Sequence, residues 1–146
     1  MGKKMKIPIS NLSLLLRSLE PVLNPGVYAF VCVSNIETLK SVEVVASVLE
    51  PEGLSAVIAE SDATALNLTI MFRAAWITLN VQSDLQSVGL TAAFSGALNK
   101  ARISCNVIAG AWHDHIFVPA NLAKEALVVL RQLQQNAADG QTFSEP

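Results

Sequence analysis

The residues of this chain that could do chemistry are concentrated in the triplet His113-Asp114-His115, which contains both histidines of the sequence. In an extended strand alternate side chains share a face, so the two imidazoles should point together while Asp114 points to the other side. Two imidazoles could bind a metal ion, but a zinc site normally needs a third or fourth ligand. A distant carboxylate such as Asp62 or Asp84 could supply it. The alternative, which we adopt, is a hydrogen-bonded structural pair, and we expect neither a metal site nor a cofactor.

Catalytic groups are a second possibility, and the sequence does not favour them. Cys32 and Cys105 each lie inside an apolar stretch, which is typical of buried, reduced thiols and not of a disulfide or an activated nucleophile. Ser83, Ser87 and Ser95 fit turn, cap and helix positions. No glycine-rich run carries the lysine of a phosphate-binding loop. We therefore expect a protein without catalytic activity of its own.

The loop at residues 82–89 combines polar side chains with the start of a predicted helix, whose free amide groups attract a carboxylate. An α-amino acid would suit this loop: helix amides would hold its carboxylate, Gly89 would let it approach, and Asp84 would receive its ammonium group. The alternative is an ordinary turn in which Asp84 caps the helix and Gly89 permits packing. The predicted ligand-binding residues are Gln82, Ser83, Asp84, Val88, Gly89, Leu90 and, with a side-chain amide from a neighbouring strand, Asn106.

Strand and helix patterns alternate around this loop. Residues 76–81 before it, and residues 103–109 and 115–118 after it, are rich in the branched and aromatic residues that favour strands. An apolar stripe predicts a helix over residues 90–101, and a second helix follows from Asn121, which can cap it. The order βαββα, with a right-handed crossover, predicts a mainly antiparallel sheet with helices on one face, which is the ferredoxin-like arrangement.

The first half repeats this order in reduced form. Residues 27–33 form an apolar strand, residues 34–41 are too short for a crossover helix, and residues 42–49 and 54–58 read as paired strands before a short helix that Asp62 opens.

We therefore expect two units in tandem, packed into one body because no Pro- or Gly-rich linker separates them. The predicted domains are an N-terminal segment at 1–21 with a short helix capped by Ser10 or Asn11, a degenerate unit at 22–70, a complete unit at 71–135, and a mobile tail at 136–146.

Three motifs carry a resemblance to a known family: Glu50-Pro51-Glu52-Gly53-Leu54, Val88-Gly89-Leu90-Thr91-Ala92, and Gly110 followed by the run HDHIFVP. They resemble motifs of the ACT domain, and in particular of short, stand-alone bacterial proteins with two ACT-like units. The likeness covers roughly residues 22 to 135. It implies an α+β fold of tandem βαββα units and a regulatory protein that binds an amino acid and acts through a partner or an oligomer.

The chain departs from that pattern at three places. Gln82-Ser83-Asp84 stands where such proteins carry His-Ser-Ser, Ala111-Trp112 replaces an aromatic pair, and Arg102 replaces the glycine that ends the helix. A helix C-terminus prefers glycine for its left-handed geometry, so Arg102 should cost under about 1 kcal/mol, partly offset by its charge.

Bulk properties limit the partners. A formal net charge of −2 gives no basic footprint for nucleic acid, whose binding depends on clustered Lys and Arg. The leucine run at residues 12–16 imitates a secretion signal, but Arg17 and Glu20 interrupt it, and no stretch reaches the ~18 apolar residues of a membrane span. We expect a cytoplasmic homodimer that contacts neither nucleic acid nor membrane. The alternative function is a structural or protein-interaction module that has no ligand.

Overall fold

A computed structural model describes residues 11 to 140 of the 146-residue chain. Its elements, in chain order, are α1 (Leu12–Arg17), β1 (Pro21–Leu23), β2 (Tyr28–Val33), β3 (Val44–Glu50), β4 (Gly53–Ala59), α2 (Glu60–Ala65), β5 (Phe72–Leu79), α3 (Leu90–Lys100), β6 (Asn106–Ala109), β7 (Asp114–Pro119) and α4 (Ala123–Ala138).

The strands described form a single antiparallel sheet in the order β3-β4-β2-β5-β7-β6, with β1 also paired to β5. β5 is the strand that joins the two halves. Its first residues, Phe72 to Ala74, pair with β2, and its last residues, Ile77 to Leu79, pair with β1. Along its other side β5 pairs with β7 from Ala74 to Leu79. β5 therefore closes the sheet of the first unit and also begins the sheet of the second.

The helices cover one face of this sheet and enclose the main core. Side chains from α1, α3 and α4 pack there against alternate positions of β5 and β7. The largest fully buried members are Leu15, Leu16, Leu19, Ile77, Leu79, Phe94, Leu98, Ile116 and Leu130. A smaller cluster lies under α2 and contains Ala29, Val31, Ile58 and Ala63. The predicted α+β, ferredoxin-like class, with antiparallel strands and helices on one side, is confirmed.

The other face of the sheet carries no helix within residues 11–140, and we call it the open face. Its side chains come from the alternate strand positions that the core does not use. They include Val22, Tyr28, Phe30, Cys32, Ala46, Val48, Glu50, Ser55, Val57, Phe72, Ala74, Trp76, Thr78, Asn106, Ile108, His115 and Phe117. The open face is therefore largely apolar, although a one-layer antiparallel sheet usually presents polar side chains on its outer face.

The helix ends agree only in part with the sequence expectations. Asn11 caps α1, since its Oδ1 accepts the amide of Leu14 at 3.0 Å; Ser10 lies outside the described residues. The expected cap at Asn121 is wrong, because Asn121 lies in a 3₁₀ turn and α4 begins without a side-chain cap. The expected mobile tail is also wrong for residues 136–138, which continue α4 because Ala137 is buried against the core.

Two strands differ from expectation as well. The strand expected at residues 103–109 begins only at Asn106, since Ile103 turns into the helix-side core, where its amide bonds to the carbonyl of Leu98. β1 was not expected, because three residues are too few to show a strand pattern. The connector at 34–41 contains only a 3₁₀ turn at Ile36–Leu39, as the sequence indicated.

Both cysteines are free thiols, but their environments differ. Cys32 is exposed on the open face, so the expectation that it is buried is wrong; its strand is apolar on both faces, and the outer one is uncovered. Cys105 is partly buried, and burial raises the pKa of its thiol to about 11.

Arg102 has the left-handed backbone that the sequence indicated, with φ of 58°, directly after the C-cap of α3. Glycine adopts this conformation without a Cβ clash, so Arg102→Gly is expected to raise the free energy of unfolding by up to about 1 kcal/mol. Chemical denaturation would measure the change. Arg102→Ala removes the charge but keeps a Cβ, and it should give no such gain; an equal gain from both variants would assign the effect to charge.

Candidate functional site

The loop between β5 and α3 lies against the start of β7. The hydroxyl of Ser83 donates to Oδ2 of Asp114 at 3.4 Å, and Nδ1 of His113 lies 3.3 Å from the carbonyl oxygen of Val81. The structure thus brings together two features that the sequence singled out separately, the polar loop and the His-Asp-His triplet. They form one candidate site at the end of β5.

The N-terminus of α3 faces this loop without a side-chain cap. Asp84 does not fill that role, because its Oδ1 accepts the amide of Gln86 at 2.9 Å and its carbonyl accepts the amide of Ser87, which closes a local turn. The alternative in which Asp84 caps the helix is therefore wrong. Its side chain is exposed, and Val88 beside the helix start is 78% exposed. The first turn of α3 keeps the partial positive charge that attracts a carboxylate.

Gly89, the residue before α3, is required by the backbone and by packing. Its φ is +99°, a conformation that side chains rarely adopt, and a Cβ built on it would lie 3.0 Å from Cδ2 of Leu12. The space beside its Cα is therefore filled by α1. This geometry matches the packing interpretation of Gly89, and a ligand would have to reach the helix amides from another side.

Gln82 leaves a hydrogen-bond acceptor unused. Its Oε1 is buried and has no hydrogen-bond partner in the described part of the chain. A buried polar atom without a partner costs about 1–3 kcal/mol. A bound molecule with an N–H or O–H group could recover that free energy at this position.

Asp114 is the functional candidate that the sequence reasoning missed. Its side chain points to the helix side of β7, as strand alternation predicted, and the residue is only 9% exposed. Burial raises the pKa of the carboxyl, while the hydrogen bond from Ser83 and the nearby His115 and His113 act in the opposite direction. No Lys or Arg among residues 11–140 forms a salt bridge with it. The signal in the sequence is an acidic residue at an inward position, followed two positions later by the core residue Ile116.

His115 lies on the open face and is held in a neutral hydrogen-bonded network. Nε1 of Trp76 donates to its Nδ1 at 3.0 Å, and Oγ1 of Thr78 lies 3.2 Å from the same nitrogen. The side chain of Asn24 donates to that threonine at 2.9 Å. Burial lowers the pKa of His115, the charge of His113 lowers it further, and Asp114 opposes both. Within the described residues no group of three or more His, Cys, Asp and Glu side chains could hold a metal ion.

The lowered pKa of His115 predicts a pH dependence of stability. Because the unfolded chain takes up the proton first, near pH 6.5, the free energy of unfolding should be kept above that pH and should fall as the pH drops toward the folded pKa. Denaturant titrations between pH 5 and 8 would measure it. His115→Gln keeps an acceptor for Trp76 but does not titrate, and its curve should be flatter; identical slopes in both proteins would contradict the prediction.

Asn106 does not join the candidate site. Its side chain lies on the open face, opposite Phe117, whereas Asp114 pairs with Ala109 three residues further along β6. At ~3.3 Å per residue that separation is about 10 Å. The candidate site is therefore the loop that carries Gln82, Ser83, Asp84, Val88, Gly89 and Leu90 of the predicted set. Ser83 joins this loop to Asp114, and Asn106 lies elsewhere.

Comparison with known proteins finds two family models that match successive parts of the chain. Residues 8–75 match the family model of the ACT domain, and residues 72–132 match a second ACT domain model. The chain belongs to the ACT domain family. The two matched segments meet at residues 72–75, within the strand β5 that both sheets use. No curated protein matches the chain.

Solved structures show the same fold. A protein of unknown function from Vibrio cholerae is 42% identical and superposes with a TM-score of 0.78, covering 85% of this chain and 96% of that one. The regulatory subunit of aspartate kinase from Thermus thermophilus superposes with a TM-score of 0.63 at 9% identity, covering 80% and 97%. Aspartate kinase from Clostridium acetobutylicum superposes with a TM-score of 0.59 at 10% identity, covering 80% of this ACT protein and 34% of that chain. At these low identities the two kinase comparisons show the fold alone.

ACT domains are ligand-binding regulatory domains, so membership of the family describes this chain as a regulatory module. No helix between residues 11 and 140 is both long enough and apolar enough to cross a membrane.

Proposed function

We propose that this ACT protein binds a small molecule, an amino acid, at the loop between β5 and α3, and that it regulates a partner and has no catalytic activity of its own. The observation that supports this most directly is the contact between Ser83 of this loop and the buried carboxylate of Asp114, in the loop that leads into the uncapped start of α3. An α-amino acid carries the two complementary charges. Its carboxylate suits the helix amides, and its ammonium group suits an aspartate.

Two carboxylates compete for the ammonium group. Asp84, the residue expected from the sequence, is exposed and already accepts the amide of Gln86. Asp114 is buried and forms no salt bridge with a Lys or Arg of the described residues, so an ammonium group there would stabilise an unfavourable desolvated charge. We assign the ammonium group to Asp114 and a secondary, solvent-side contact to Asp84. Gln82 Oε1 is the further acceptor available to the same ligand.

A thermal-shift screen with the twenty amino acids tests the proposal. A ligand at ~100 times its dissociation constant should stabilise the protein by about 2.7 kcal/mol. For each positive compound the matched controls are the corresponding amine, which lacks the carboxylate, and the corresponding acid, which lacks the amino group. Neither control compound should raise the melting temperature. A shift that either control retains would contradict the two-charge arrangement.

The second candidate is an interaction module that has no ligand, and the apolar open face favours it. A screen without a single positive compound, together with stable association with another chain, would decide for it. Both candidates share our further proposals of a homodimer and of a cytoplasmic location. The free thiols Cys32 and Cys105 fit a reducing compartment.

A further inference from the structure

The open face is the part of the molecule whose chemistry least resembles a water-exposed surface. An aromatic cluster occupies its centre: Tyr28 packs edge-on against Trp76 at 5.2 Å between ring centroids, and Phe30 packs against both Phe72 and Phe117 at 5.5 and 5.4 Å. Phe117 is fully buried within this cluster. Sheets that face water on one side normally alternate apolar and polar positions, and β2, β5 and β7 do not.

Charge is nearly absent from this face. Among its strand positions within residues 11–140, Glu50 is the only acidic or basic side chain apart from His115, and it lies on the outermost strand, where it bonds to Ser55. His115 is held neutral by Trp76 and Thr78. A second acidic group, Glu43, lies just before β3 at the edge of the face, and its charge raises the pKa of Tyr28. The aromatic side chains at the centre of the face are partly buried among themselves, and Val22 and Val48 at its margins are 47% and 59% exposed. An apolar area left uncovered in this way marks an interaction surface.

We propose that the open face is the contact through which two copies of this chain pair, sheet against sheet. This inference rests on the homodimer proposed above and adds its location. Two-fold pairing places the same patch on both subunits, so any charge near the axis meets a like charge. A surface that is uncharged at its centre avoids this repulsion, whereas a partner protein of opposite charge would have nothing to pair with.

The size of the face is sufficient for a dimer. Strands spaced ~4.8 Å apart across the order β3-β4-β2-β5-β7-β6 give a width of about 24 Å, and strands of about seven residues give a length of about 23 Å. Two such faces in contact remove on the order of 1,100 Å² from solvent, which exceeds the roughly 1,000 Å² expected of a specific interface.

The chain carries its own reporter for this contact. Cys32 is exposed on the open face, while the thiol of Cys105 has a pKa of about 11 and stays protonated near neutral pH. A thiol reagent at pH 7.5 therefore reacts with Cys32 in preference to Cys105. Raising the protein concentration through the dimerisation range should slow this labelling at least about tenfold, because Cys32 becomes covered, and Cys32→Ser should remove the fast phase.

A pair of variants on β3 tests whether the dimer contact uses the open face or the opposite face of the sheet. Val48 is 59% exposed on the open face, and its neighbour Leu49 is 83% exposed on the other face. Val48→Glu buries a charge in the contact and should weaken dimerisation at least about tenfold, whereas Leu49→Glu should leave it unchanged. Analytical ultracentrifugation measures both, and thermal unfolding of the two variants checks that each is folded.

The results of these experiments distinguish the open-face contact from the broader proposal that the chain forms a homodimer. A dimer that resists Val48→Glu and leaves Cys32 as reactive as in dilute solution would overturn the open-face contact and leave the homodimer standing, with pairing through the β3 or β6 edges. A monomer at all concentrations would overturn both. A monomer in which Cys32 is protected at every dilution would show that the chain itself or a tightly bound small molecule covers the face, and it would also contradict the inference.

Discussion

Asp114→Asn is expected to change stability and binding in opposite directions. The buried carboxyl has its pKa raised by desolvation, so the native state carries an unfavourable charge at neutral pH, and the neutral amide should raise the free energy of unfolding of the ligand-free protein. The same change removes the proposed charge-assisted contact to the ligand. That loss should cost about 1.5–3 kcal/mol, or roughly ten- to a hundred-fold in affinity.

Calorimetry with the compound found in the thermal screen would measure the binding change, and denaturant unfolding would measure the stability change. Asp84→Asn is the matched control, because Asp84 is exposed and should alter affinity much less. If Asp84→Asn weakened binding more than Asp114→Asn, the ammonium group would belong to the loop carboxylate. A loss of stability in Asp114→Asn would show that the charge has a native partner.

Phe117→Ala is expected to give the largest loss of stability among the variants discussed. Phe117 is fully buried at the centre of the aromatic cluster, beside Phe30 and Trp76. Truncating a buried phenylalanine leaves a cavity and costs about 3–5 kcal/mol. For a chain of this size each kcal/mol lowers the melting temperature by roughly 3–5 °C, so a fall of more than about 10 °C should be seen by calorimetry.

The control for this prediction is Trp112→Ala. Trp112 is also a large aromatic residue near β7, but it is 48% exposed, and its removal should change stability by less than about 0.5 kcal/mol. A loss from Phe117→Ala as small as the one expected for Trp112→Ala would mean that the open-face cluster contributes little to folding.

The sequence predicted the helices and strands better than it predicted which face of the sheet is covered. The stripe that includes Phe94 and Leu98 predicts α3 because three- and four-residue spacing depends only on local order. A strand with apolar residues on both sides gives no such information about which side is covered. For that reason Cys32 was expected to be buried, although its neighbour Val31 is in the core and Cys32 itself is outside.

The candidate site shows the same limit. The loop at residues 82–89 could be predicted from its polar composition, and strand alternation correctly separated Asp114 from His115. The position of Asn106 could not be predicted from the sequence, because the face on which it lies and its distance from the loop depend on the register between β6 and β7. Leu12 over Gly89 is likewise a contact between residues far apart in sequence, which no local pattern encodes.

The shared strand β5 has a practical meaning for anyone who divides this protein. A fragment that stops before Phe72 lacks β5 and would leave one edge of β2 unpaired. A fragment that starts at Phe72 lacks β1 and β2, which pair with the two ends of β5. Exposed strand edges of this kind favour aggregation. Each half expressed alone should therefore be poorly soluble, while the two halves produced together should find each other and reassemble. A break in the segment between Leu66 and Met71 would turn the chain into a split reporter whose two parts join through β5 and through the packing of α1 and β1 against α4.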